Sequence, residues 1–330
     1  MQAAVVIVES ETWHPRADSQ SRCLQSGTPL SCIEILGCTM IDRLLYGLRR
    51  LGLDSISVMA EEGVSARFEV ERAAHRSVKF VKDVWRGAVQ CLAEQAKHGV
   101  NTLLVVPANV YTEMEFADFL QFHREQNRGI TRVVSRENRL DIWAIDAKHL
   151  RSERDLLALL QSGNKDSHEY AKYFCHGYAA RLSTPADLRR LVTDTFAGVC
   201  RLRPEGQEVR SGVWMSEGAE VNRGARIVSP AYVGRGSRIE EQCLITRGSN
   251  IESNCHVDYG TVVEDSSVLP NSYIGIGLDV AHSVVSGNCL SHLHHDVTLE
   301  ISDPSVMRKN KVLRKETIRS VGGVPAMGAA

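Results

Sequence analysis

Side chains able to do chemistry gather in a few stretches of this 330-residue chain. His256, in Asn254-Cys255-His256-Val257-Asp258, has the type needed for a general base in acyl transfer, provided a neighbouring group orients its ring. His292, His294 and His295 raise the question of a metal, but a short polar run of this kind reads as a solvated loop. Two polar stretches follow short apolar runs: Glu9-Ser10-Glu11-Thr12-Trp13-His14-Pro15-Arg16 after Ala3 to Val8, and Asn109 to Glu113 after Leu103 to Pro107. Arginine clamps phosphate well, and Glu113, four residues after Asn109, offers a carboxylate. The nine cysteines include no Cys-x-x-Cys pair, so neither a zinc site nor a disulfide framework is expected.

Elements must hold these groups in place. From Ala3 to Val8 a β-branched apolar run reads as a buried strand. Helical spacing of Met40, Ile41, Leu44, Leu45, Leu48 and Leu51 precedes a second strand, Ser55 to Ala60. A helix capped by Asp83 leads to a third strand, Thr102 to Val106. Further along, Glu115 to about Asn127 reads as a helix, Arg139 to Ile145 as a strand and Leu150 to Leu160 as a helix. Thr184, Pro185 and Asp187 carry a helix-start signal. Strand alternating with helix predicts an α/β layer with a mostly parallel sheet, and in such sheets ligands bind at the carboxyl ends of the strands. The loops Glu9 to Gly27 and Pro107 to Glu115 are therefore the ones to inspect.

A different period governs the last third. Met215, Val221, Ile227, Val233, Ile239, Ile245, Ile251, Val257, Val263 and Leu269 are six apart and all apolar. Two residues before most of these steps stand small side chains, from Ala219 and Ala225 to Ser249, Cys255, Thr261 and Ser267. A large β-branched residue inside and a small one at a tight corner is the pattern of a parallel β-helix of hexapeptide repeats. The register slips by one after Leu269, where Val268, Ile274 and Val280 continue it. The expected organisation is an α/β domain at 1–197, a linker at 198–211, the β-helix at 212–290 and a tail at 291–330.

With 39 basic and 40 acidic residues there is no charge excess to draw the chain to nucleic acid or an anionic membrane. No apolar run approaches the roughly 18 residues of a spanning helix, and the odd cysteine count suits a reducing compartment. A cytoplasmic location is expected, with no nucleic-acid or membrane partner.

Four stretches together resemble the sugar-phosphate nucleotidyltransferases that carry a left-handed β-helix behind a Rossmann-like catalytic domain. They are Pro29 to Ala60 (PLSCIEILGCTMIDRLLYGLRRLGLDSISVMA), Leu103 to Glu125 (LLVVPANVYTEMEFADFLQFHRE), Gly177 to Leu188 (GYAARLSTPADL) and the hexapeptide array. The resemblance implies a mixed, mostly parallel sheet and a nucleotide-sugar or sugar-phosphate ligand. It also implies Mg²⁺ in an active member, which joins a nucleoside triphosphate to a sugar 1-phosphate. By position it places Glu9, Ser10, Thr12, Arg16, Asn109, Glu113 and Arg181 at the ligand pocket.

This chain departs from the family where phosphate and metal should be held. The first loop has no glycine, so side chains obstruct the backbone approach to phosphate. Thr28 stands where the family has lysine, Asn109 replaces one metal aspartate, and Arg181 the other. The expected function is that of a catalytically degenerate relative acting as a nucleotide-sugar-binding, regulatory or scaffolding subunit. It would form a homo-oligomer through the β-helix or pair with an active homologue. The alternatives are an active nucleotidyltransferase, with Arg16, Arg22 and Arg181 as counter-charges, and a hexapeptide acyltransferase using His256.

Overall fold

The structure is a computed structural model, and it describes residues 1–9, 28–62, 71, 78–135, 140–149, 153–162 and 170–310. In chain order the first module contains β1 (Gln2–Val8), β2 (Glu34–Ile35), β3 (Cys38–Thr39), α1 (Met40–Arg50), β4 (Ser55–Glu61), β5 (Val78–Val81) and α2 (Val84–Lys97). There follow β6 (Thr102–Pro107), β7 (Val110–Thr112), α3 (Phe116–Gln126), β8 (Ile130–Val134), β9 (Trp143–Asp146), α4 (Glu153–Ser162), β10 (Ala171–Phe174), β11 (Ala179–Arg181) and α5 (Pro185–Phe196).

Seven of these strands form one sheet in the order β10-β8-β9-β6-β1-β4-β5. All its pairings are parallel except the two made by β9. The central strand β1 shows why a continuous apolar run was needed. Its Ala4, Val6 and Val8 pack with Ile41, Leu45 and Leu48 of α1 and Phe119 of α3. Its Ala3, Val5 and Ile7 pack on the other face with Ala88 and Leu92 of α2 and Leu160 of α4. Alternation with period two thus feeds helices on both faces, because successive strand side chains point to opposite sides.

Caps set the helix starts. Thr39 accepts from the Asp42 N–H at 3.1 Å, and the Asp83 carboxylate accepts from Trp85 and Arg86 at 3.1 and 3.0 Å. Thr184 and Asp187 form a reciprocal capping box ahead of α5, with Pro185 at its start.

The second module is a solenoid of three parallel sheets. Arg226 pairs with Leu244 and Leu244 with Val262, each 18 residues on, so one coil has three sides and three hexapeptides. Ile239, Ile245, Ile251, Val257 and Val263 fill its interior at no more than 1% exposure. Small residues turn the corners and bond the next coil: Ser237 Oγ donates to the Glu252 carbonyl at 2.5 Å, and Thr261 Oγ1 to that of Gly275 at 2.6 Å.

The register change is real but lies earlier than the sequence period suggests. Thr246 still pairs with Glu264, 18 residues on, whereas Asn250 pairs with Ser267, 17 on. One residue is therefore missing from the corner between Glu264 and Ser267. Val268 takes the interior place beside Ile274 and Val280, while Leu269 packs instead in the core between the two modules. Ser266 takes over the corner role expected of Ser267, donating from its Oγ to the Glu264 carbonyl at 2.7 Å and accepting from the Ser283 N–H at 2.9 Å.

That inter-module core joins Leu30, Ile35, Leu36 and Met40 to Leu188, Leu191 and Val192 of α5 and to Tyr232, Leu269 and Val284 of the solenoid. Cys200 and Leu202, from the stretch 198–211, are buried in it, and Gln207–Arg210 of the same stretch pairs antiparallel with Val213–Met215. Polar ties reinforce it. Arg189 of α5 donates to the Gly248 carbonyl at 2.8 Å and to Asp265 Oδ1 at 2.8 Å, and buried Glu252 accepts from the Leu36 and Gly37 N–H groups at 2.7 and 3.0 Å.

Candidate functional site

The carboxyl edge of the seven-stranded sheet is where the inspected loops meet. Glu9 follows β1 directly, and Asn109 sits between β6 and β7. The two-stranded ribbon of β7 and β11 pairs Val110 with Arg181, which carries Arg181 back over the sheet edge. There its guanidinium bridges two carboxylates, Glu9 Oε2 at 3.0 Å and Asp141 Oδ2 at 2.6 Å. Trp85 Nε1–H donates to Glu9 Oε1 at 2.8 Å. Asp141, 3% exposed, also receives Arg132 at 3.2 Å, whose guanidinium lies 4.9 Å from the centre of the Trp143 ring. Two carboxylates and two guanidiniums thus form one chain of charge at the head of the sheet, largely out of water, where each needs its partners.

Other expected residues fall differently. The Asn109 carbonyl accepts from the Leu182 N–H at 2.8 Å, and its Oδ1 is buried with no hydrogen-bond partner among the described residues. Glu113 does not join Glu9 and Arg181. Its carboxylate accepts from the Tyr111 hydroxyl at 3.2 Å and from the Arg201 N–H, because the ribbon turns that side chain toward the inter-module segment. Ser10, Thr12, Arg16 and Arg22 lie outside the described residues. Trp85 and Asp141 were not singled out from sequence: a tryptophan on an apolar helix face reads as core, and an aspartate beside a strand carries no local signal.

Beside this chain of charge opens a cleft of about 590 Å³. It is lined by Val134 and Ser135 past the end of β8, by residues from Phe174 to Arg181, and by Asp187 and Arg190 of α5. Asp187 is committed to its cap, accepting from the Ser183 and Thr184 N–H groups at 3.0 and 2.8 Å. Burial pushes the Tyr178 phenol well above its ordinary pKa, and its 2.6 Å bond to Asp194 adds to this, so it faces the cleft as a neutral hydroxyl. His176, Arg181 and Arg190 also line it, Arg190 with its Nε 3.9 Å from Asp194 Oδ2.

No protein-family model matches this chain, and a search of curated proteins found no match.

Magnesium, which the family resemblance implies, does not fit the donors at the sheet edge. A hard divalent ion needs carboxylate oxygens that are open to it. Glu9 and Asp141 are spanned by a permanent cation, Arg181, and Asn109 brings an uncharged oxygen. Among the described residues, the group with metal-ligand spacing is Asp265, His282 and His294, on the solenoid. His256, also on the solenoid, has its Nε2 3.1 Å from Glu240 Oε1 and its ring edge-on to Tyr273.

Proposed function

We propose that this protein is a catalytically degenerate sugar-phosphate nucleotidyltransferase-like subunit that binds a nucleotide sugar or sugar phosphate without turning it over. The single observation behind this reading is Arg181 set between Glu9 and Asp141, a protein-borne cation where catalysis would require a mobile, phosphate-bridging one. A fixed guanidinium neutralises the carboxylates but cannot travel with the nucleotide. The neighbouring cleft, lined by Arg190 beside Arg181, offers guanidinium donors to an anionic ligand, so the reading is a binding or regulatory subunit, alone or beside an active homologue. The three-sided 18-residue coils and the hexapeptide period support taking the solenoid as the left-handed β-helix of that family.

The deciding measurement offers the purified protein the common nucleoside triphosphates with a panel of sugar 1-phosphates. Pyrophosphate release is followed with and without chelator, and the same ligands and nucleotide sugars are titrated calorimetrically. The expected result is no chelator-sensitive turnover, with at least one nucleotide sugar or sugar phosphate binding and weakened several-fold in Arg190→Ala. Robust turnover on any pair overturns the degenerate reading, and silence in both assays overturns the ligand-binding one.

A second reading has one observation in its favour. Glu240 supplies His256 with the orienting partner that a general base needs in acyl transfer. Neither the cleft at the sheet edge nor the expected pocket touches it. Acyl transfer from acyl-coenzyme A, abolished in His256→Ala, would favour this reading.

A further inference from the structure

Three histidines that sequence alone assigns to a solvated loop do not stand alone in the fold. His292, His294 and His295 lie where the strand Cys289–His292 turns into Val297–Glu300, a hairpin that pairs with Ser283–Ser286 at the end of the solenoid. The Leu293 N–H donates to the His282 carbonyl at 2.8 Å, fastening this turn against the coil corner. The rings of His282 and His294 stack with centroids 3.9 Å apart, and those of His292 and His295 at 4.6 Å. Four of the chain's 12 histidines therefore share one small patch.

A carboxylate completes it. His282 Nδ1 is 2.6 Å from Asp265 Oδ2, one coil below, and the other oxygen of Asp265 is held by Arg189 at 2.8 Å. Arg189 is itself 5% exposed and tied to the Arg247 and Gly248 carbonyls, so the carboxylate is oriented from behind by a rigid group. Such backing is what fixes the ligands of metal sites. One donor atom from each of Asp265, His282 and His294 lies within 4.8 Å of the other two.

We propose that Asp265, His282 and His294 form a binding site for a borderline divalent transition-metal ion of the zinc class, with the His292 and His295 imidazoles at hand to complete the shell. Two imidazoles and a carboxylate are the donors such ions prefer, whereas Mg²⁺ and Ca²⁺ take all-oxygen sets. Tetrahedral zinc with bonds of about 2.1 Å wants donor atoms roughly 3.4 Å apart. The Asp265 to His282 contact has to widen by under about 1 Å to reach that spacing. The stacked ring of His294 has to turn so that its lone pair converges, which its exposed position allows. The ion then replaces the proton shared by Asp265 and His282. Its effect is to staple the terminal hairpin to the coil and, through Arg189, to α5.

The test titrates Zn²⁺ into the chelator-stripped full chain by calorimetry and repeats the titration on His294→Ala and His282→Ala. One ion per chain is expected, with micromolar or tighter affinity, weakened on the order of tenfold or more in each variant. Cobalt loading should give a tetrahedral visible spectrum without a thiolate charge-transfer band, which separates this site from the cysteines. His294 is exposed, so its alanine variant should melt like the parent protein without metal and decides the matter even where His282→Ala does not fold. Absence of binding, binding unchanged in His294→Ala, or a thiolate band would each overturn the proposal.

Discussion

Arg181 and Glu252 show how far single side chains can be read from the sequence at their own scale. Arg181 stood out in the sequence from its place in the Gly177 to Leu188 stretch. That it would be gripped by Glu9 and Asp141 was not, since these residues come from three separate parts of the chain. Glu252 gave no sign of its role, because glutamate after an interior isoleucine suits a solvated turn. In the fold it is fully buried, accepting from Leu36, Gly37 and Asn250. Burial pushes its carboxyl from the ordinary 4.5 up to about 8, outweighing those three donors. The folded protein then keeps this proton up to about pH 8, whereas the unfolded chain releases it near 4.5. Between those values the folded state binds more protons, so stability from this group is greatest below the window and falls as pH rises through it. The difference is on the order of 5 kcal/mol. Urea unfolding followed across the window should show that decline, and Glu252→Gln, neutral throughout, should flatten it.

Among elements, the solenoid was the most legible, because a period of six repeated over ten steps leaves little else for the chain to do. Its slip was seen but misplaced: Leu269 is apolar for a different reason, its contact with the neighbouring module, and apolarity alone does not tell one core from another. The ends were not legible, since caps do not repeat. The hairpin Cys289–His292 and Val297–Glu300 extends one sheet, and Met307–Lys309 pairs antiparallel with Ser272–Ile274 along a second. Met307 is 4% exposed and plugs the interior beside Ile274, and Arg308 lies 3.4 Å from the centre of the Tyr273 ring. Uncovered strand edges invite pairing with other chains. Met307→Asp buries an unpaired charge, so it should release this strand at a cost of about 3 kcal/mol. Faster proteolysis after Ile301 and a rise in light scattering would report the release; proteolysis and scattering unchanged from the parent would show that the strand is not what closes the stack.

At the scale of the whole molecule, the two modules share one core rather than a tether. Arg189 is central to it, and its loss takes the buried donor away from the Gly248 and Arg247 carbonyls and from Asp265. Arg189→Met should cost roughly 3 kcal/mol. It should also split a single unfolding transition into two, seen as divergence between circular dichroism and tryptophan fluorescence. The shortened corner between Glu264 and Ser267 reaches further still. A stack of coils is a one-dimensional lattice, and a missing residue in it is a dislocation that rephases every site above. With 18 residues per turn Ser283 would stand over Asp265; with 17 it is His282. A residue added after Asp265 would lengthen that coil to 18 and leave the same histidine over the same aspartate, since Glu264 would still pair with Ala281.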